Sequence, residues 1–184
     1  MSDITVKWLE ENNACQEGID EFERQPLTDH VKVVNKLMKK QRFDWANWII
    51  VHLMTHVQKV EYALFAADQV IGIFEEQYPD DKRPRNAIEA GRAYIANPSG
   101  ETAANAAYAA ASAATCAADA ANAAYAANAA YAAASAAYAA DAANAANAAN
   151  ASYAATSAAT CAADAASMKA RIIKNGLKIL GSND

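Results

Sequence analysis

Ser112-Ala-Ala-Thr-Cys-Ala-Ala-Asp-Ala-Ala121 recurs unchanged at Ser157 to Ala166, an offset of 45 residues, and Tyr108-Ala-Ala-Ala-Ser-Ala-Ala114 recurs at Tyr131 to Ala137, an offset of 23. Both lie in a segment, Thr102 to Ser167, in which 41 of 66 residues are alanine, three are acidic and none is basic. Alanine has the strongest intrinsic helix propensity. The other residues return every three or four positions rather than every two, and β-branched residues are scarce, so the segment reads as helix and not as sheet. Between Asn105 and Asp164 the non-alanine positions, with adjacent pairs counted as one, are about 3.3 residues apart on average, below the 3.6 of an α-helix, so on one straight rod their stripe would wind around the axis. A fold-back resolves this. Repeats near 22 and 45 residues predict two or three stacked antiparallel helices of about six turns each. With no Gly or Pro available there, Asn and Asp positions near Asn122 and within Asn144 to Asn150 are expected to turn the chain. A buried alanine removes little area from water, so such an array relies on close backbone approach, with tyrosines filling the gaps.

Upstream, Asn97-Pro98-Ser99-Gly100 is a turn-forming cluster at which the composition changes. It divides the chain into two expected units: residues 1–97, a globular helical region, and residues 98–184, the alanine-rich array with a closing C-terminal helix. The expected fold is all-α, with the first unit packed against the second. Ile4, Val6, Trp8 and Leu9 precede Asn12-Asn13, and Cys15, Ile19 and Phe22 fall at helical spacing until Pro26. Thr28 or Asp29 can cap a second helix that carries Val31, Val34, Leu37 and Met38 on one side and Lys32, Lys36, Lys39 and Lys40 on the other. Asp44 is then expected to cap a run holding Trp45, Trp48, Ile49, Val51, Leu53 and Met54, the densest apolar volume in the chain and the expected core. A further helix is predicted from about Glu61 to Gln77, stopping at Tyr78-Pro79, and its neighbour from Pro84 through Ile88, Arg92 and Ile95. Met168 to Leu180 restores large apolar side chains and basic charge, which suits a closing helix C-terminus.

Composition narrows the function. Sixteen Lys and Arg against 21 Asp and Glu give a formal charge of −5 over 184 residues, which disfavours nucleic acid and acidic lipid and favours a basic partner. The 54% apolar content is mostly alanine, the mean hydropathy is −0.13, and no run of eighteen strongly apolar residues suggests a membrane span. Cys15, Cys116 and Cys161 make no disulfide framework and no leader pattern opens the chain, so a cytoplasmic location is expected. Cys116 and Cys161 occupy matching repeat positions, as packing residues would. There is no phosphate-cradling glycine motif and no zinc-type cysteine pair, so no cofactor or metal is expected. His52 and His56 are spaced i,i+4 on the expected core helix, a geometry that can share a metal. His30 is distant, and no Glu follows His52 as in H-E-x-x-H, so they read as packing residues. No nucleophile, base and orienter can be nominated together, and the chain reads as a non-enzyme.

The most distinctive motif is Tyr78-Pro-Asp-Asp-Lys-Arg-Pro-Arg-Asn-Ala-Ile-Glu-Ala-Gly-Arg92. Pro79 stops one helix, Asp80-Asp81 can satisfy backbone donors of the next, and Pro84 suits a first turn. Arg85, Glu89 and Arg92 then share a face, as a surface ion-pair row or as a fork for a carboxylate or phosphate. Arg83, Arg85, Glu89 and Arg92 are therefore binding candidates. So are Tyr108, Tyr125, Tyr131 and Tyr138, which could line a pocket between alanine helices for a nucleotide-like small molecule. An ice-binding helix is disfavoured, because Thr102, Thr115, Thr156 and Thr160 keep no eleven-residue period.

Pro79 to Arg92, preceded by Ala66-Ala-Asp-Gln-Val-Ile-Gly-Ile-Phe74 and followed by the alanine-rich tail, resembles the mostly helical immunity proteins numbered family five in bacterial polymorphic-toxin loci. The resemblance runs from about Asp44 to Leu180 and is carried by the R-P-R-x-A-I-E-A string. Alanine-rich versions with an opening like Asp44-Trp-Ala-Asn-Trp48 also occur in bacteriophages. The resemblance implies a protein that neutralises a toxin or a host defence component by binding it. Bacterial members carry arginine and histidine in the alanine helices, where this chain has tyrosine, asparagine and serine. A protein partner leads the expectations, a small molecule follows, and a second copy of the chain is a further candidate.

Overall fold

The computed structural model describes residues 3–25, 27–119 and 165–181. All regular structure among them is helical, in line with the alanine content and the three- and four-residue apolar spacing. The elements are α1 (Val6–Glu11), α2 (Gln16–Glu23), α3 (His30–Lys39), α4 (Phe43–Leu53), α5 (His56–Asp68), α6 (Ile71–Gln77), α7 (Arg83–Ala96), α8 (Gly100–Asp119) and α9 (Ala165–Ile179). None of the described helices is long and apolar enough to cross a membrane. The expected turns near Asn122 and Asn144 to Asn150, and Tyr125, Tyr131, Tyr138, Tyr153 and Cys161, lie outside the described residues.

Local chemistry sets most boundaries. Asp29 caps α3 by accepting from the Lys32 amide at 2.9 Å. Asn13 and Gln41 follow α1 and α3 in the left-handed region, each with φ 59°. Paired backbone bonds close both ends, Ala14 to Leu9 and Asn13 to Glu10, Arg42 to Leu37 and Gln41 to Met38. This is the Schellman arrangement, in which a left-handed residue satisfies the last free carbonyls of a helix. At Ser99, the turn cluster becomes a cap: the Thr102 amide donates to Ser99 Oγ at 3.2 Å and the Ser99 amide to Thr102 Oγ1 at 3.0 Å.

Two expectations need correcting. Asp44 is not the cap of α4, which starts at Phe43 behind Arg42, so Asp44 sits within the first turn, where a carboxylate still complements the positive end of the helix dipole. The helix expected over Glu61 to Gln77 starts earlier and is two helices. Thr55 and Gln58 form a capping box that opens α5 at His56, and the chain breaks at Gln69-Val70 before α6. A separate break at Met54-Thr55 parts His52 and His56: they sit at the end of α4 and the start of α5, on different helices.

The core gathers Ile50, Val51, Val60, Tyr62, Val70, Phe74 and Ile88 with Ile172 and Ile173 of α9. Burying each such aliphatic side chain is worth about 1.5–3 kcal/mol. Tyr62 is fully buried and its hydroxyl donates to Asn47 Oδ1 at 2.8 Å, which meets the polar cost of placing a phenol there. α9 packs on α4 and α5, closing the fold as its restored apolar residues predict. Gly176 permits the close approach: a Cβ there would lie 2.7 Å from Ile50 Cγ2 and 2.9 Å from Tyr62 Cε2. α7 packs against α5 and α8, and Ala87, Ala106 and Ala113 are fully buried. The tryptophans stand apart from this centre. Trp45 and Trp48 are half-buried, so the run expected as core divides: Ile49, Val51 and Met54 are buried within it, while the two tryptophans and Leu53 pack against it.

Candidate functional site

The Tyr78-to-Arg92 motif folds into a corner at which α5, α6 and α7 meet. Phe74 and Tyr78 stack at 5.0 Å and end α6, and Pro84 sits in the first turn of α7, where its missing amide costs nothing. Asp81 Oδ1 accepts from the Arg83 amide and from Arg83 Nε, both at 3.0 Å, while Oδ2 accepts from Arg83 Nη2 at 2.7 Å. Asp81 therefore holds the start of α7 and fills the Arg83 fork in one stroke.

Arg85 reaches back across the corner. Its Nε donates to Glu75 Oε1 at 2.9 Å and its Nη2 to Glu75 Oε2 at 2.6 Å, a bidentate pair, and its Nη1 lies 3.5 Å from Asp68 Oδ1. Asp68, at the C-terminal end of α5, also pairs with Arg92, whose Nη1 donates to Glu89 Oε1 at 2.5 Å. The predicted row on one helix face is thus a three-helix network. Its anchors, Asp68 and Glu75, come from α5 and α6; Asp68 lies in the Ala66-to-Phe74 stretch, but no spacing in the sequence relates either carboxylate to the arginines. The hydrogen bond from Arg85 holds the Glu75 carboxyl below the usual carboxylate range, and Glu75 in turn raises Arg85.

This geometry decides what the corner can offer. Both arginine forks considered for an external carboxylate or phosphate are engaged by carboxylates of the chain itself. The network holds four carboxylates, Asp68, Glu75, Asp81 and Glu89, against three guanidiniums, Arg83, Arg85 and Arg92. Glu89 is exposed, as are nearby Glu76 and Asp80. The corner therefore presents more exposed carboxylates, Glu76, Asp80 and Glu89, than exposed cations, Lys82 and Arg92, and its surface is mildly acidic and hydrogen-bond-accepting.

Tyr108 is 80% exposed on α8. It does not fill a gap between helices, because Ala106 and Ala113 mark the buried face and a step of two residues from Ala106 points to the opposite side. His52 Nδ1 lies 2.8 Å from the Trp48 carbonyl, and its ring packs 4.0 Å from that of Trp48. Burial lowers its pKa despite the bond to Trp48. His56 meets Tyr94 edge to face at 5.8 Å. No group of three potential metal ligands occurs among the described residues.

A cavity of about 350 Å³ between α1, α2, α3 and α4 went unread in the sequence, because its walls come from four helices with no shared motif. The family model described as Imm-5 like putative immunity protein matches residues 50–174, which include the whole corner. No curated protein and no solved structure matches the chain.

Proposed function

We propose, from the fact that the chain belongs to the Imm-5 like putative immunity protein family, that it neutralises a protein partner, a toxin or a host defence component, by binding and occlusion without catalysis. The observation that carries this reading is the family match over residues 50–174, with the corner inside it. The net charge of −5 and the exposed Glu76, Asp80 and Glu89 favour a basic partner, since an acidic face accelerates encounter with one. Arg83, Arg85 and Arg92 serve by fixing the carboxylates of this face, and Tyr108 on α8 offers an exposed aromatic contact of the kind that anchors interfaces.

The test is purification of the tagged protein from its native host without denaturation, followed by native mass spectrometry. An added protein-sized mass is expected, and Glu89→Lys should slow association and flatten its dependence on salt. Recovery of the bare chain from every relevant lysate would sink the reading. An added mass of a few hundred daltons, lost on denaturation, would replace it by small-molecule sequestration, with Tyr131 and Tyr138 the residues to change first.

A further inference from the structure

Outside the matched span, the first four helices line a cleft of about 350 Å³, within the size range of small-ligand pockets. Leu9, Phe22, Leu37, Trp45 and Trp48 supply apolar and aromatic walls. Trp8 braces Trp48 edge to face at 5.8 Å, and Arg42 lies 4.4 Å over the Trp45 ring, so both tryptophans are held in place. The two Schellman ends, at Asn13 and Gln41, fix the angles at which α2 and α4 leave α1 and α3.

One polar feature breaks this lining. Lys36 projects from α3 into the wall, part-buried, and its Nζ donates to the neutral Gln25 Oε1 at 3.0 Å. An ammonium has three donors and calls for a counter-charge when it is partly withdrawn from water. Glu21, a carboxylate close enough to feel Lys36, is taken by Lys40. That hydrogen bond, with Lys36 and Arg24 also close, keeps the Glu21 carboxyl below its ordinary range. The charged groups of the lining are Lys36, Lys40, Glu21 and Asp44; Lys40 pairs with Glu21, and the hydrogen bond of the Lys36 ammonium goes to a neutral amide.

We propose that this cavity binds a small amphipathic monocarboxylate, an aliphatic or aromatic acid whose apolar body lies against Trp45, Trp48 and Phe22 and whose carboxylate accepts from Lys36. A single ammonium beside a neutral amide suits one negative charge better than a multiply charged phosphate, and the apolar walls reward a body without further polar groups. The site is independent of the corner and of the partner-binding reading, because all of its walls precede residue 50.

The molecule carries its own reporter: all three tryptophans, Trp8, Trp45 and Trp48, stand at this cavity or touch one that does. The experiment titrates decanoate and, separately, decanol into the full chain below the micelle threshold. It follows tryptophan fluorescence and the alkylation of Cys15, an exposed thiol in the wall, mapped by peptide mass spectrometry. Saturable binding of decanoate is expected, with decanol weaker and Cys15 protected. Lys36→Met, which keeps the apolar stem, should weaken decanoate by about tenfold, the worth of one charge-assisted hydrogen bond, and leave decanol unchanged. Gly18→Leu, which fills the wall on α2, should abolish both signals while thermal unfolding shows the fold intact. If Gly18→Leu does not fold, Cys15 protection in the unaltered chain decides the location. Equal affinity for decanol, indifference to Lys36→Met, or no saturable change at the tryptophans or Cys15 would each overturn the assignment.

Discussion

His52 carries the clearest pH signature. Burial against Trp48 favours its neutral form, so its folded pKa lies below the ordinary 6.5. The sign follows: the unfolded chain binds the proton more readily, so this stabilisation is complete above the unfolded pKa and is lost as pH falls through that value toward the folded one. Unfolding by urea should therefore show a midpoint that drops between pH 7 and pH 5.5, and His52→Phe, which keeps the ring against Trp48, should flatten the drop. An unchanged slope in the variant would reject this origin. Glu75 acts in a lower window: its stabilisation holds above the ordinary carboxylate range and fades as pH falls through its lowered folded value. Gly176 shows the opposite extreme, a residue whose value is having no side chain. Gly176→Ala would drive a methyl into Ile50 and Tyr62 and should cost about 1–3 kcal/mol by chemical denaturation, although alanine is the better helix former.

At the scale of elements, the arginine network ties α7 to α5 and α6. Its members are a quarter to a half exposed, so most of its pairs contribute little by themselves, and the bidentate Arg85–Glu75 pair is the one that counts. Arg85→Lys retains the charge but cannot reproduce the fork, and should lower stability by about 1 kcal/mol. Glu75→Gln in that background should add little more, because the two residues act as one unit; a fully additive loss would show that they do not. The capping box at Thr55 belongs to the same scale. Thr55→Ala should cost about 1 kcal/mol and loosen the first turn of α5, seen as faster amide exchange at Gln58. The Asp29 cap, the turn at Asn97 to Gly100, the stop at Tyr78-Pro79 and the Pro84 start were all legible, since each is a local interaction between near neighbours. The α5–α6 break was not: Ala66 to Phe74 keeps helical spacing, and the reason to stop lies in how Val70, Ile71 and Phe74 reach the core.

For the molecule as a whole, α9 is the closing piece. Ile172, Ile173 and Leu177 are buried against helices more than a hundred residues upstream, and Gln58 Nε2 donates to the Ile179 carbonyl at 2.9 Å. A chain ending at residue 164 should lose its cooperative thermal transition and bind a hydrophobic dye, because Ile50 and Tyr62 would be left against water; a sharp transition would show instead that the first eight helices fold alone. Helix class, the turn at Asn97 to Gly100, the closing role of the last apolar stretch and the residues of the corner motif could be read from the sequence alone, because propensity, periodicity and capping act over a few positions. Only the tertiary structure decided which carboxylates the arginines hold, that His52 and His56 part company, that Trp45 and Trp48 border a cavity and that Tyr108 points outward. Those facts depend on which helices lie side by side. Packing brings together residues that no local spacing relates, and the energy of a buried contact depends on its neighbours in space rather than along the chain.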